Sequence, residues 1–584
     1  HGGATGGVIS VVTKRGGNEF RGDIGTAFRT SKLEGDPRPI ESGDDATLTY
    51  INPPKDDYLF SYLSVSIGGP IVKDRLHFFT SYNVQSFTTN RTVDYPSGAR
   101  EEYRTNTRRD YGFLRLDSQL SDKVNLFGSY TYNPVRVHGG LDSVTGIASG
   151  VPSDGTLSGG ALFATQGGRR ASAIYNFGGI ITPNNNWIIS GRYGESYLNE
   201  KLGSYGIPGG IERVRCITGN TGVPGVSASG TCGNFFSSVP TVFGTERDIS
   251  RRRTVDLDAT LLFNAGGRHS LKFGYQLNRI SNDVDQGYFN TGEIRLFYGR
   301  TSRGVGGGPG EIGYVYLQNF GTVGNTSSSS NAIYVQDSWT INRLTLNLGL
   351  RVEKEDVPSF SANGVPIEFN WGDKLAPRLG GSYDVMGDGR WKIYAGYGWF
   401  YDRFKYELPR GSFGGDQFTR DYVPILAATP DYTVYTKSYI LANNPRHFNF
   451  RVPSNDPSDN RVDPTLKAAK QSSLDVGTEF EWNNNWVFGA RYVHKQVEEA
   501  IEDVGIFDAQ ENELFFIANP GRGIVGQPLL PGVPATPQPE RKYDGITFSA
   551  NKRLSDNYFI NASYTYSRLF GNYSGLASSD ENGR

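Results

Sequence analysis

The chain carries many titratable side chains but few arrangements that do covalent chemistry. Six histidines, His1, His77, His138, His269, His447 and His494, are scattered, with no HExxH and no i,i+4 pair to hold a metal. No G-x-S-x-G elbow is present. The glycine run at 304–310 lacks the Lys-Ser/Thr of a phosphate-binding loop and reads as a flexible connection. Asp456, Asp459 and Asp463 offer oxygen ligands, but their spacing is not that of a calcium-binding EF-hand loop. These absences predict no enzyme activity, no metal centre and no cofactor.

Three other residue sets carry more information. Cys216 and Cys232 lie in one long polar segment, 202–250, and in an oxidising compartment such a pair reads as a disulfide within one loop. The alternative is two free thiols. Segment 404–467 sets Phe413, Phe418, Tyr422, Tyr432, Tyr435 and Tyr439 among Gly, Asp and Arg. Aromatics with such neighbours either stack a ligand ring, from a sugar, a peptide or a siderophore, or pack the loop upon itself. Finally, Arg115, Asp117, Asp256, Asp258, Arg351, Glu353, Glu479 and Glu481 all occur at every second position of apolar segments. Their recurrence on so many segments argues against acid–base pairs and for a hydrated lining.

That last pattern defines the elements. In 344–352, Leu344, Leu346, Leu348, Leu350 and Val352 alternate with Thr345, Asn347, Gly349 and Arg351. In 474–482, Leu474, Val476, Thr478, Phe480 and Trp482 alternate with Asp475, Gly477, Glu479 and Glu481. Period two sends successive side chains to opposite faces of a strand. The same alternation recurs at 114–120, 255–263, 391–399 and 558–566. Strands come in pairs across short turns at 121–123, 183–186, 264–268, 341–343, 386–390, 483–485 and 555–557. Long polar segments of unequal length, such as 31–57, 134–168, 202–250, 404–467 and 499–541, always fall on the other side of the pairs. About eight hairpins, a lone strand near 19–29 and a further pair across 292–318 predict roughly 17–19 strands of a transmembrane antiparallel β-barrel. A propeller or solenoid repeats at a fixed period, and a sandwich of this many strands needs several layers.

Composition agrees. The 584 residues include 75 Gly, 34 Phe, 34 Tyr and 7 Trp, with 59 Lys+Arg against 60 Asp+Glu. Mean hydropathy is -0.45. So many aromatics exclude a disordered chain, and the balanced charge gives no basic surface for nucleic acid. No run of about 18 apolar residues marks a membrane-spanning helix, and no N-terminal signal peptide is visible. Trp187, Trp339, Trp391, Trp482 and Trp486 sit beside short turns, as an interfacial aromatic belt requires. The lone methionine, Met386, implies that His1 is not a translation start and that the sequence is a piece of a longer protein.

The first residues resemble the end of the plug domain and its junction with the barrel in TonB-dependent outer-membrane receptors. The matching positions are Gly2, Gly3, Gly6 and Gly7, the short strand 8–12, then Thr13, Lys14, Gly16, Gly17, Asn18, Glu19 and Phe20. The resemblance continues at 334–339 (YVQDSW), 344–351 (LTLNLGLR), 376–379 (APRL), 396–403, 543–545 (YDG), 562–568 (ASYTYSR) and 571–575 (GNYSG). Together these look like the Oar-like branch of that family, whose full members add a carboxypeptidase-regulatory-like domain before the plug. The resemblance implies a barrel of about 22 strands with a plug in its lumen. Residues 1–17 are then the end of the plug and 18–584 a partial barrel with long extracellular loops. It further implies energised uptake of an extracellular ligand and two partners, the lipid of a Gram-negative outer membrane and the inner-membrane TonB complex. The latter would be reached through segments missing here. An ungated porin or a surface adhesin on the same barrel is the alternative reading.

Overall fold

Apolar and polar residues in strict alternation, rich in aromatic and β-branched types, favour a pleated strand with two unlike faces. The computed structural model describes residues 12–573 apart from 43–48, 52–54, 96, 143–150, 154–156, 202–211, 219–235, 238–242, 289–290, 361–365, 405–409, 411–414, 451–461, 508–512, 529–530, 533 and 556. Gly2, Gly3, Gly6, Gly7, Cys232, Phe413, Asp456 and Asp459 therefore lie outside the described residues.

Among the described residues, seventeen strands build one antiparallel wall. They are β1 (Arg21–Thr30), β2 (Asp57–Val72), β3 (Leu76–Asp94), β4 (Arg100–Ser121), β5 (Val124–Tyr132) and β6 (Gly167–Asn184). Next come β7 (Trp187–Lys201), β8 (Gly244–Asn264), β9 (Arg268–Gly287), β10 (Glu311–Ile341), β11 (Leu344–Val357) and β12 (Leu375–Asp384). The last are β13 (Trp391–Tyr401), β14 (Lys470–Asn483), β15 (Trp486–Glu499), β16 (Arg541–Ser555) and β17 (Tyr558–Gly571). Each strand pairs with its successor. β5 stops before Pro134, which has no N–H for the ladder, and pairing between β4 and β6 resumes over Val135–Gly139.

Tight turns join the strands in pairs at one end of the wall. Three of them place a short polar residue in the left-handed region: Asp74 (φ 62°), Asn342 (φ 52°) and Asn557 (φ 66°). Asn and Asp tolerate that conformation better than other side chains with a Cβ. The tryptophans of this end pack on the apolar face. Trp187 meets Phe273 edge-on at 6.2 Å, Trp391 meets Phe480 at 6.0 Å, and Trp486 stacks on Phe488 at 5.8 Å. Leu257, Val335, Leu348, Leu350 and Phe548 lie exposed on the same outer surface, while Asp256, Asp258 and Arg351 turn the other way.

The pair expected across 292–318 is present as strands but lies outside the wall. β10 is 31 residues long, about 100 Å if fully extended and far longer than a bilayer needs. Its later part pairs with β9 and β11 in the wall. Its first part continues the same sheet beyond the wall at the long-loop end, in a region here termed the crest. In the crest β10 pairs with Glu293–Tyr298 on one side and Asp416–Leu426 on the other. Arg213–Thr218 and Arg446–Asn449 extend the two flanks. One crest face is an apolar core of Cys216, Ile294, Leu296, Val315, Leu317, Val423 and Ile425, covered by Tyr435 and Ile440.

β1 and β17 form the two edges of the wall, and β17 is exposed along its whole length. Both run from the turn end to the loop end. They therefore cannot join each other antiparallel, and antiparallel closure between them takes an odd number of strands.

Candidate functional site

The segment before β1 is fastened to the inside of the wall. Arg115 on β4 sits between Leu114 and Leu116, which face outward, so its own side chain points to the lumen. It clasps Asp117 through Nε and Nη2 (2.8 and 2.6 Å) and donates from Nη1 to Thr13 Oγ1 at 2.6 Å. Three residues on, Gly16 lies flat on the β2–β3 hairpin. A Cβ there would fall 2.2 Å from the Phe78 carbonyl oxygen and 3.0 Å from that of Gly69, whereas one on Gly17 would meet nothing within 4 Å. Asn18 then closes on the hairpin turn. Its Oδ1 accepts from the Asp74 N–H and contacts His77 Nε2, both at 2.8 Å, and its amide donates to Asp74 Oδ1. Phe20 packs 6.3 Å from Phe78 and covers Gly69, where any Cβ would collide with its ring. Lys14 is exposed.

The lumenal lining is a paired polar network. Asp258 accepts from the Tyr334 hydroxyl and lies 3.7 Å from Lys272 and 4.0 Å from Arg192. Gly274 leaves the space that the Tyr334 ring fills. Asp256 accepts from Gln276, which in turn accepts from Arg351 at 3.0 Å. Arg351 also holds Glu353 at 2.9 Å, and Lys374 is inserted between Glu353 and Glu355. Arg192, Asp258, Lys272, Tyr334, Arg351 and Arg378 help to line a recess of about 500 Å³ in the wall. Around the lumen, Glu479 pairs with Lys392 at 2.8 Å and Glu481 with Arg553 at 3.1 Å. All eight charged residues selected from the sequence lie on the face opposite the exposed leucines. Tyr334, Lys374 and Arg378 were not selected. Tyr334 stands at an alternate position of an apolar strand, a usable signal; Lys374, in the turn just before β12, and Arg378 join the network only once the strands are assembled.

The aromatic residues of 404–467 divide between the two crest faces. Tyr435 is buried in the apolar core with its hydroxyl committed to the Leu426 N–H and the Thr429 carbonyl, both at 2.9 Å. Tyr432 and Tyr439 pack against the same core. Phe418 and Tyr422 lie on the opposite face, in a layer with Phe297, Tyr314, Tyr316, Phe448 and Phe450. Five of the six are thus described, and they do not form one patch. Cys216 is disulfide-bonded and fully buried in the apolar core. Asp463 accepts from the backbone N–H groups of Thr465 and Ile524, which fixes a loop. Among the described residues no cluster of His, Cys, Asp and Glu has the geometry to hold a metal.

At the far flank of the same crest face, Glu293 is enclosed by three guanidinium groups. Arg213 lies at 2.8 Å and Arg215 at 3.6 Å, with Arg295 in direct contact. Burial opposes the charged carboxylate, yet these arginines hold Glu293 below the ordinary carboxylate range.

A wall of antiparallel strands with an apolar outer face, an aromatic belt and a charged interior defines a transmembrane β-barrel of the Gram-negative outer membrane. The chain belongs to the family of outer membrane beta barrel domains, whose model matches residues 94–584. In that setting the short turns are periplasmic and the crest is extracellular. The sequence is 26% identical to the TonB-dependent transporter Oar of Myxococcus xanthus over 98% of this chain and 59% of that protein. Its fold is similar to that of the outer membrane transporter YddB from Escherichia coli (TM-score 0.54, 11% identity, 95% of this chain and 60% of that one). It is also similar to a mutant of the ferric enterobactin receptor PfeA from Pseudomonas aeruginosa (TM-score 0.52, 14% identity, 97% and 64%). The chain thus spans about six-tenths of the length of these relatives.

Proposed function

We propose that this chain is the pore wall of a TonB-dependent outer-membrane transporter, gated by a plug of which residues 1–17 are the final segment. Ligand binds at the extracellular crest and loops. Force relayed from the inner-membrane TonB complex to the plug then opens a path past the polar lining. The observation that carries this reading is the docking of 13–20: a segment outside the wall ladder, hydrogen-bonded to lumenal Arg115 and to the Asp74 turn. A passive pore has no use for such an attachment. The similarity to Oar over nearly the whole chain supports the same reading. The extracellular aromatics with hydrogen-bonding neighbours suit a carbohydrate, a peptide or a siderophore as the ligand.

Conductance of the full-length protein in planar bilayers tests the proposal. A plug-gated barrel stays closed in KCl at rest and opens when the segment up to residue 17 is deleted. Steady conductance of the intact protein would instead establish an ungated porin. A barrel closed in both forms would indicate an adhesin.

A further inference from the structure

We propose that the outer surface of β4–β9, at the extracellular border of the apolar band, is a binding site for the phosphorylated headgroup of a lipid of the outer leaflet. The site lies on the membrane side of the wall, not the lumenal side, and so does not depend on the transport reading.

Alternation fixes which side chains face lipid. On β4, Leu114 and Leu116 are exposed on the apolar surface, and Arg108 and Asp110 share their parity in an unbroken ladder with β3. On β8, exposed Leu257 shares its parity with Arg251 and Arg253. Tyrosines mark the level at which hydrocarbon gives way to headgroups, because the ring is apolar and the hydroxyl is not. Tyr82 donates to Asp110 at 2.5 Å, Tyr193 to Glu195 at 2.6 Å and Tyr275 to Asn331 at 2.7 Å. In each case the acceptor stands farther from the periplasmic turns than the tyrosine does.

Beyond that level, register assembles cations from distant parts of the chain. Arg108, Arg136, Arg169 and Lys201 stand directly opposite one another on successive strands. With strands about 4.8 Å apart, this row spans roughly 14 Å. Arg253 stands opposite Arg279, and Arg251 follows two residues along on the same face. Between the two groups lie Ala171 and Ala173, the latter opposite Tyr197, and their short side chains keep the surface low there. Like charges directly opposite each other destabilise a sheet. A lone snorkelling arginine needs no partner, but an unbroken like-charge row is favourable only with an anion across it.

The carboxylates of this border are already matched. Asp110 is held by Arg108 at 2.9 Å and Glu195 by Arg253 at 3.2 Å. Arg136, Arg169, Lys201, Arg251 and Arg279 form no ion pair among the described residues. Arg251 lies over the Tyr197 ring at 5.4 Å, and Arg279 donates to Ser327 at 3.4 Å. Farther out, Arg100, Arg104 and Arg247 stand with Asp94, Glu102, Asp283 and Asp285. The described strand residues thus leave four more cations than anions on the outer surface of β3–β9, in a chain whose net charge is -1. At the other edge of the wall, Asp544 stands opposite both His494 and Arg568, so no like-charge row forms. A cationic surplus that faces lipid and adjoins the hydrocarbon level meets headgroups, and guanidinium groups suit phosphate oxygens.

The test uses the full-length protein in dodecylmaltoside, with lipid A bearing two phosphates and its fully dephosphorylated form as probes, titrated by native mass spectrometry. Wild type is expected to bind the phosphorylated form, with affinity falling as salt rises, and the dephosphorylated form far more weakly. R136Q/R169Q/K201Q should weaken binding of the phosphorylated form by about tenfold or more. K542Q/R568Q, at the other edge of the wall, should bind as wild type does. Inorganic phosphate at the concentration of the lipid should leave the bound lipid in place; displacement would assign the cations to a soluble anion and overturn the lipid assignment. Should the triple variant fail to fold, protection of exposed Arg136 and Arg169 from phenylglyoxal by bound lipid A reads the same contact in wild type. Equal binding of the two lipid forms, or binding indifferent to the triple variant and without protection of Arg136 and Arg169, overturns the proposal.

Discussion

Arg115 holds Thr13 with one nitrogen of its guanidinium while the other two hold Asp117. The two residues are 102 positions apart, and the bond joins the segment before the barrel to the lumenal face of the fourth strand. Asp117 fixes the orientation of the arginine, so the donor that reaches Thr13 is already aimed. Breaking this bond leaves Arg115 paired, which makes it a low-cost release. R115Q in the full-length protein should therefore raise the frequency of spontaneous openings in planar bilayers without preventing assembly. Unchanged closure in R115Q would show that the bond does not hold the segment.

Gly16 and Gly17 are adjacent in sequence and opposite in tolerance. A Cβ at Gly16 would lie 2.2 Å from a backbone carbonyl, which cannot move without disturbing the β2–β3 ladder. One at Gly17 meets open space. G16A should undock residues 13–18 and free their backbone, so that trypsin cuts after Lys14 and Arg15 much faster than in wild type, while G17A should leave the digestion rate unchanged. Equal protection in G16A would contradict the docked arrangement.

Asn347 and Leu348 are likewise neighbours on opposite faces of β11. Leu348 is 43% exposed on the apolar side, whereas Asn347 lines the lumenal recess with Arg351. L348R puts a charge into lipid at a cost of about 2–4 kcal/mol if it lies near the midplane. N347R meets water and should cost far less. Urea titration of barrels refolded into lipid vesicles should show this difference as a lower midpoint for L348R alone.

The strand pattern was legible because a bilayer imposes it residue by residue. Leu344 to Val352 can only be a strand with one greasy face, and about eight hairpins plus one lone strand match the seventeen wall strands among the described residues, while the further pair across 292–318 lies in the crest. What alternation does not reveal is the medium on either side. The strands across 292–318 alternate as wall strands do, yet their apolar face meets the crest core instead of lipid. The partner that creates this core, Asp416–Leu426, is about 100 residues away, beyond the reach of any local pattern. The same holds for ligand-facing chemistry. Phe418, Tyr422 and Tyr435 look equivalent in the chain, but Tyr435 is 1% exposed beneath the crest. Arg420 and Arg446 attract no attention until register sets them beside Phe448 and Tyr422. The junction residues Thr13, Gly16, Asn18 and Phe20 were found by resemblance, and their contacts give the physical reason for each residue type.

Cys216 is buried in the crest core and disulfide-bonded, and the only other cysteine of the chain is Cys232. We predict that these two are joined in the outer-membrane protein. Closing a loop of this length contributes about 3 kcal/mol in the chain-entropy model. Intact mass with and without reductant should differ by two hydrogens, and alkylation before reduction should add nothing. C232S should loosen the crest while leaving the wall folded, seen as faster proteolysis in the extracellular loops with unchanged heat-modifiable migration. A fully alkylatable pair in unreduced protein would refute the bridge.

Glu502 opens an extracellular hairpin, Glu502–Phe507 with Glu513–Ala518, that lies on the loop core through Ile517. Burial pushes its carboxyl up to about 7, against the pull of a hydrogen bond from Tyr573 and with a small push from Asp503. Arg541 and Asp402 act on the Tyr573 end of the same contact. Its Oε1 has no hydrogen-bond partner among the described residues, so ionisation would leave a charge without compensation there. A folded-state pKa above the unfolded value means that the folded hairpin binds the proton more tightly. The stabilisation is then complete below the ordinary glutamate pKa and disappears as pH rises through about 7. Hydrogen exchange in 502–518, corrected for its intrinsic pH dependence, should be slower at about pH 6 than at about pH 8. E502Q, neutral throughout, should hold the slower rate at both. Exchange that does not change across this range in wild type, or that changes equally in E502Q, would exclude Glu502 as the titrating group.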